Sequence, residues 1–211
     1  MLTWEQYAAG WRELHGGYDP HTGSAFVRGW LRLAYLLGRA AARVGATPGV
    51  VTGIGLALSV GVPVAARLPL LAALLVVLSA VADTIDGAVA VLTGRASRAG
   101  QVYDSLADRV GEACWLVALG VLGVPAWLLL GCGGCAWLHE YVRARATAAG
   151  MNEIGVVTVA ERPTRIILAV AALVAAGTVG GAAATAVTAV WTALTVVGFA
   201  QLMLTVRARL R

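Results

Sequence analysis

Residues 82–112 read ADTIDGAVAVLTGRASRAGQVYDSLADRVGE. They put Asp83, Asp86, Asp104, Asp108 and Glu112 in or against segments otherwise suited to lipid, where a carboxylate is costly enough to mark function. If both flanks are helical, Asp83 and Asp86 at i and i+3 share one face, and Asp104 and Asp108 at i and i+4 share another. Between them residues 93–101 hold Gly94, Arg95, Ser97, Arg98 and Gly100, a turn too short to cross a membrane and rich in breakers and charge. The spacing therefore predicts two antiparallel neighbouring helices whose aspartates lie at one depth and converge. Converging carboxylates repel unless a cation sits between them, and an all-oxygen donor set favours a hard ion, Mg²⁺ or Mn²⁺. Gly87 and Gly100, each within a turn of an aspartate, leave the backbone open to a flat or phosphorylated ligand.

The string Asp83-x2-Asp86-Gly87-x2-Ala90-x9-Gly100-x3-Asp104-x3-Asp108 resembles the defining motif of the CDP-alcohol phosphotransferases, D-x2-D-G-x2-A-R-x8-G-x3-D-x3-D. Every spacing matches, and Val91 stands where that family usually has Arg. The resemblance implies transfer of a substituted phosphate from a CDP-alcohol, such as CDP-diacylglycerol, to an acceptor hydroxyl, with release of CMP. Carried over by position, Asp83, Asp86 and Asp104 are metal ligands, and Asp108 is the general base and a shared ligand. Gly87, Ala90 and Gly100 line the cytidine pocket. Arg95 falls on the face of position 91 if the helix continues past Thr93, and would then replace the missing charge; otherwise it anchors the inner end of a span.

Composition places the chain among integral membrane proteins: 59% hydrophobic and 13% charged over 211 residues, with mean hydropathy +0.79. All 16 basic residues are Arg, and the net charge of +5 is spread over the ends of apolar segments, which argues against a nucleic-acid partner. The first twenty residues are mixed and polar, unlike a cleavable signal peptide. Cys132 and Cys135 form C-x2-C without a second pair, which reads as small-residue helix packing rather than a zinc site. His15, His21 and His139 are isolated in sequence and receive no chemistry.

The fold class expected is an all-α integral membrane protein, six transmembrane helices preceded by an N-terminal amphipathic helix. Residues 1–45 form the N-terminal segment and 46–211 the transmembrane domain. In the first, Phe26, Trp30, Leu33 and Leu37 recur at helical spacing opposite Arg28, Arg32, Arg39 and Arg43, giving a helix that lies in the membrane interface or packs on the protein itself. Thr47-Pro48 is a helix start, and apolar stretches follow at 50–66, 70–92, 102–121, 126–145, 163–179 and 184–206. Each is near the roughly 20 residues a bilayer requires. With both termini inside, the inner segments hold nearly all the arginines and the outer loops only Arg67, so the aspartates face the cytoplasm of a multi-pass plasma-membrane protein.

A second stretch, residues 141–165 (YVRARATAAGMNEIGVVTVAERPTR), is similar to actinobacterial phosphatidylinositol-phosphate synthases, in which such ARA and ERPxR segments help form a pocket for a phosphorylated acceptor. The positions carried over are Arg143, Arg145, Arg162 and Arg165, whose guanidinium forks suit phosphate oxygens. The first is typically Lys in those enzymes. The resemblance implies a small phosphorylated polyol as acceptor and a homodimer in membrane lipid. Glu112 is expected to pair with Arg109 or to bridge two helices. Competing readings are a glycerol 3-phosphate acceptor, a cation or proton transporter built on intramembrane carboxylates, and an inactive homologue, which Val91 leaves open.

Overall fold

The computed structural model describes residues 2–14, 25–151 and 157–210, apart from the side chains of Leu14 and Phe26. His15, His21 and the Phe26 side chain of the expected stripe lie outside the described residues. Of the described residues 85% are helical, with no strand among them. In order the helices are α1 (Trp4–Leu14), α2 (Ala25–Arg43), α3 (Pro48–Val64), α4 (Pro69–Thr93), α5 (Arg98–Val121), α6 (Ala126–Ala148), α7 (Arg162–Thr178) and α8 (Gly181–Arg209).

Helices α3 to α8 occupy the six apolar stretches. Two of them, α4 and α8, are long and apolar enough to cross a membrane, and residues 27–43 with α3, bent by 111°, make a third if counted as one span. The shortfall from six has a physical basis. α3 and α7 have 17 residues each, about 26 Å at 1.5 Å per residue against a hydrocarbon core of about 30 Å. α5 and α6 carry the ionisable side chains of the candidate site. On α4, Leu70, Leu71, Leu74, Val77 and Leu78 are 41–54% exposed, an apolar face that belongs in lipid.

α1 was not anticipated, although its signals are local. Thr3 and Gln6 form a reciprocal cap, with the Thr3 N–H donating to Gln6 Oε1 at 2.9 Å and the Gln6 N–H to Thr3 Oγ1 at 3.4 Å. Trp4, Tyr7 and Trp11 then repeat at helical spacing.

The chain packs as two compact units, Met1–Ala57 with Leu78–Asp108, and Leu58–Val77 with Arg109–Arg211. In the first, α1 and α2 share a buried cluster with the end of α4: Tyr7, Ala34, Tyr35, Ala88, Val91 and Leu92. Small residues let the helices approach, since a Cβ on Gly38 would stand 2.6 Å from that of Ala88, and one on Gly55 would stand 3.3 Å from that of Ala82. In the second unit, α8 packs along α6 and α7 over a core that includes Trp191, Trp115, Leu119, Leu173 and Cys132.

Candidate active site

In the first unit, the turn between α4 and α5 is only residues 94–97. Gly94, at φ +64°, closes α4: its N–H donates to the Val91 carbonyl at 3.2 Å, and that of Arg95 to the Ala90 carbonyl at 3.0 Å. That left-handed step is the conformation glycine adopts without Cβ strain. α4 therefore stops at Thr93, and Arg95 lies exposed in the turn, off the helical face that carries position 91. Ser97 caps the next helix, accepting the Gly100 N–H at 3.0 Å. A Cβ at Gly100 would stand 3.0 Å from that hydroxyl, so the glycine leaves room for the cap.

These two helix ends bring Asp83, Asp104 and Asp108 together. Each offers a carboxylate oxygen, all within 4.8 Å of one another and all half-buried. Two oxygens at about 2.1 Å on opposite sides of a Mg²⁺ ion stand about 4.2 Å apart, so small side-chain rotations close this set around such an ion. The donor chemistry fits a hard divalent metal.

Asp86 is placed differently. It is 6% exposed, and its Oδ2 lies 2.7 Å from the Thr52 hydroxyl. That hydroxyl is also 3.0 Å from the Pro48 carbonyl, and its single proton serves one acceptor at a time. Sequence reading gave Thr52 no chemical role, although Thr47-Pro48-x3-Thr52 resembles the T-P-N-x-x-T helix entry of the CDP-alcohol phosphotransferases, with Gly49 in place of the usual Asn. Gly87, next to Asp86, is exposed, and a Cβ there would meet no atom within 4 Å. Ala90, three residues on, is half-buried.

Val91 is buried, 9% exposed, and its Cγ1 would stand 3.1 Å from a Cβ on Gly10 of α1. The motif departure coincides with a helix laid over that position. A long charged side chain there would meet Tyr7 and α1 rather than solvent.

In the second unit, two arginines of the second stretch, Arg143 and Arg165, are held by carboxylates. Arg143 grips Glu161 through both terminal nitrogens, at 3.0 and 2.6 Å. Arg165, 2% exposed, donates from Nη2 to Glu140 at 2.6 Å, and its Nε lies 3.4 Å from Glu112, which also accepts from Arg109 at 2.8 Å. Glu112 thus pairs with Arg109 on its own helix, as expected, and meets Arg165 of α7 as an ion pair without a hydrogen bond. Arg145 is exposed, and Arg162 opens α7 half-buried.

Glu161 precedes α7 at the cap position, yet its side chain makes no cap bond. It reaches instead to Arg143 and to Thr158, accepting the Thr158 N–H at 2.8 Å and hydroxyl at 2.9 Å. Burial pushes the Glu161 carboxyl up, but the hydrogen bonds and charge of Arg143 with the Thr158 donors more than offset this and hold it below the usual range. His139, fully buried, lies 3.1 Å from the Thr158 hydroxyl through Nε2. Neither Glu140 nor His139 was singled out from sequence. The only hint was their position one turn before Arg143 on an otherwise apolar helix.

Residues 46–206 match the model of the CDP-alcohol phosphatidyltransferase family. The chain is 31% identical to the archaetidylinositol phosphate synthase of Pyrococcus horikoshii over 139 residues, 63% of this chain and 71% of that protein. It is also 31% identical to the phosphatidylinositol phosphate synthase of Mycolicibacterium smegmatis over 151 residues, 66% of each. Among solved structures, the phosphatidylinositol phosphate synthase of Mycobacterium tuberculosis with CDP-DAG bound superposes with a TM-score of 0.69 at 26% identity, covering 83% of this chain and 94% of that one. The same enzyme with manganese and citrate gives 0.70 at 25% identity, covering 82% and 88%. With its motif spacing intact and this match over most of its length, the chain belongs to the CDP-alcohol phosphatidyltransferase family and is a membrane-embedded enzyme of phospholipid synthesis.

Proposed function

We propose that the enzyme transfers a phosphatidyl group from a CDP-diacylglycerol-type lipid to the hydroxyl of a small phosphorylated polyol. The observation that carries this is the convergence of Asp83, Asp104 and Asp108 beside a motif whose Gly87 backbone is open. Asp83, Asp86 and Asp104 would hold Mg²⁺ or Mn²⁺, with Asp108 as general base and a shared ligand, and Thr52 orients Asp86. The bound metal would neutralise pyrophosphate charge. Gly87, Ala90 and Gly100 line the donor site, with Arg95 in the exposed turn at its edge. Asp108 accepts the proton as the acceptor oxygen bonds to the lipid-side phosphorus, the phosphoanhydride bond breaks, and CMP leaves with the bonding electrons.

Arg143, Arg145 and Arg162 bind the acceptor's phosphate, and Arg165 supports them from the buried side through Glu140 and Glu112. The curated relatives' names make an inositol phosphate the first acceptor to try. α3 to α8 are six membrane-crossing helices, with α3 and α7 at the short end of the roughly 17–25 residues that span a bilayer, and α2 lies in the interface, a placement supported by the 111° bend between residues 27–43 and α3. The arginine distribution supports a plasma-membrane enzyme with cytoplasmic aspartates, and the family resemblance a homodimer.

The test is CMP release from CDP-diacylglycerol by purified protein with Mg²⁺ or Mn²⁺ and each of inositol phosphate, glycerol 3-phosphate and inositol. Release dependent on a phosphorylated polyol supports the reading. Release that inositol stimulates as well as inositol phosphate defeats the phosphate-binding role, and no release with any acceptor defeats the reaction.

A further inference from the structure

The acceptor role given to Arg143 raises a question of charge. Its two terminal nitrogens already hold Glu161, so the pair is close to neutral before any phosphate arrives. A guanidinium has five N–H donors, and the bidentate grip uses two of them. Of the other three, Nε is buried, which leaves one on each terminal nitrogen for a phosphate. What the grip removes is freedom: the plane and position of the guanidinium are set by the carboxylate.

Glu161 is itself unusually well fixed. Its Oε1 accepts from both the backbone and the hydroxyl of Thr158, and the hydroxyl meets the buried His139. The segment carrying these residues is pinned to α8. The Val159 N–H donates to Gln201 Oε1 at 3.1 Å, and Ala160 sits so close to Gly198 that a Cβ there would stand 2.5 Å from its own. A chain of fixed groups thus runs from the rigid α6–α8 contact to one guanidinium fork. Such support is what a site on a connecting segment needs if its geometry is to be held to fractions of an ångström.

We propose that Glu161 is a positioning residue of the acceptor site. It holds the Arg143 guanidinium where an acceptor phosphate meets it, and is itself fixed by Thr158 and His139. The inference rests on the reading of Arg143 as a phosphate ligand. It makes a prediction of opposite sign to simple electrostatics. If Glu161 only cancelled charge, removing its charge would strengthen phosphate binding, because Arg143 would be less neutralised. If Glu161 positions Arg143, the same change weakens binding.

The experiment is steady-state transfer by the full chain in lipid vesicles, with inositol phosphate and CDP-diacylglycerol each varied at saturating levels of the other. Glu161→Gln is expected to raise the acceptor KM by roughly tenfold, the scale of one hydrogen bond to a charged group, with kcat and the CDP-lipid KM within about twofold of the parent. Glu161→Asp, which keeps the charge, should recover part of the loss. In an Arg143→Ala background Glu161→Gln should add nothing, since it acts through that side chain. An acceptor KM that falls or stays flat in Glu161→Gln overturns the proposal, as do losses that add in the double variant or that fall equally on both substrates. Should Glu161→Gln not fold, Thr158→Val removes one of its supports and carries the same expectation at smaller size, with an unchanged acceptor KM again overturning it. Arg143→Ala decides the underlying reading separately. If it leaves the acceptor KM unchanged, Arg143 is no phosphate ligand and the proposal goes with it, whereas a raised KM there beside an unchanged Glu161→Gln defeats the positioning role alone.

Discussion

Thr52 on α3 and Asp86 on α4 meet at 2.7 Å, a hydroxyl and a carboxylate 34 residues apart that fix one of the four motif aspartates in a buried position. Thr52→Val keeps the shape and removes the proton, leaving Asp86 with one donor fewer where water is scarce. Transfer is expected to drop about tenfold or more, while Thr52→Ser retains most of it. Parent-like CMP release by the Val variant would show that the bond has no part in the reaction.

Asp108→Asn should abolish transfer and leave CDP-lipid binding largely intact, since three motif carboxylates remain. Asp83→Asn and Asp104→Asn, which like Asp108→Asn each remove an oxygen from the converging set, should weaken Mn²⁺ binding. Titration calorimetry with Mn²⁺ measures this, and unchanged affinity in both Asp83→Asn and Asp104→Asn would remove the proposed metal site.

Restoring the family arginine should harm this chain. Val91 is packed beneath α1, and Tyr7, whose phenol burial pushes up to about 12, stays neutral and offers no counter-charge. Val91→Arg is expected to cost about 2–4 kcal/mol, in the range of burying an unpaired polar group. The signature is a lower Tm with earlier proteolysis in residues 2–14. A variant as stable as the parent, or more active, would show that α1 does not close over this position.

Arg165 lies between Glu112 and Glu140 with all but 2% of its surface covered. Arg165→Ala leaves Glu140 without its guanidinium and Glu112 with Arg109 alone, a loss of roughly 3–5 kcal/mol. The expected result is poor folding with both substrates affected. A selective rise in the acceptor KM at parent stability would instead make Arg165 a direct phosphate contact.

Because the Glu161 carboxyl is held below the ordinary value of 4.5, its contribution to stability is present above that value and is lost as pH falls through the depressed pKa. The Tm difference between parent and Glu161→Gln should therefore be constant from neutral pH down to about 5 and shrink only in stronger acid. A difference that disappears between pH 7 and 5 would mean that the pair with Arg143 does not hold the carboxyl down.

Much of this protein is written locally. The helix ends at Thr47-Pro48, Gly94 and Ser97 follow from capping chemistry between near neighbours, and the motif interval sets Asp83, Asp104 and Asp108 on two helix ends joined by a four-residue turn. The helix start at Thr47-Pro48 and the close approach of the motif helices were legible in the sequence because each depends on residues a turn or a short loop apart; the cap at Ser97 was not, and α5 starts at Arg98 although the turn was expected to run to residue 101. The partners of the site residues were not. Thr52 for Asp86, Glu140 and Glu112 for Arg165, Glu161 for Arg143, and Gly10 for Val91 all join distant positions. The reason is that α3, α4 and α8 are apolar nearly all round, as helices in lipid are. They lack the single apolar stripe that would announce which face turns inward. The sequence by itself determined which residues are helical and which chemistry they carry; only the tertiary packing decided which helix faces meet, and hence which charges are held.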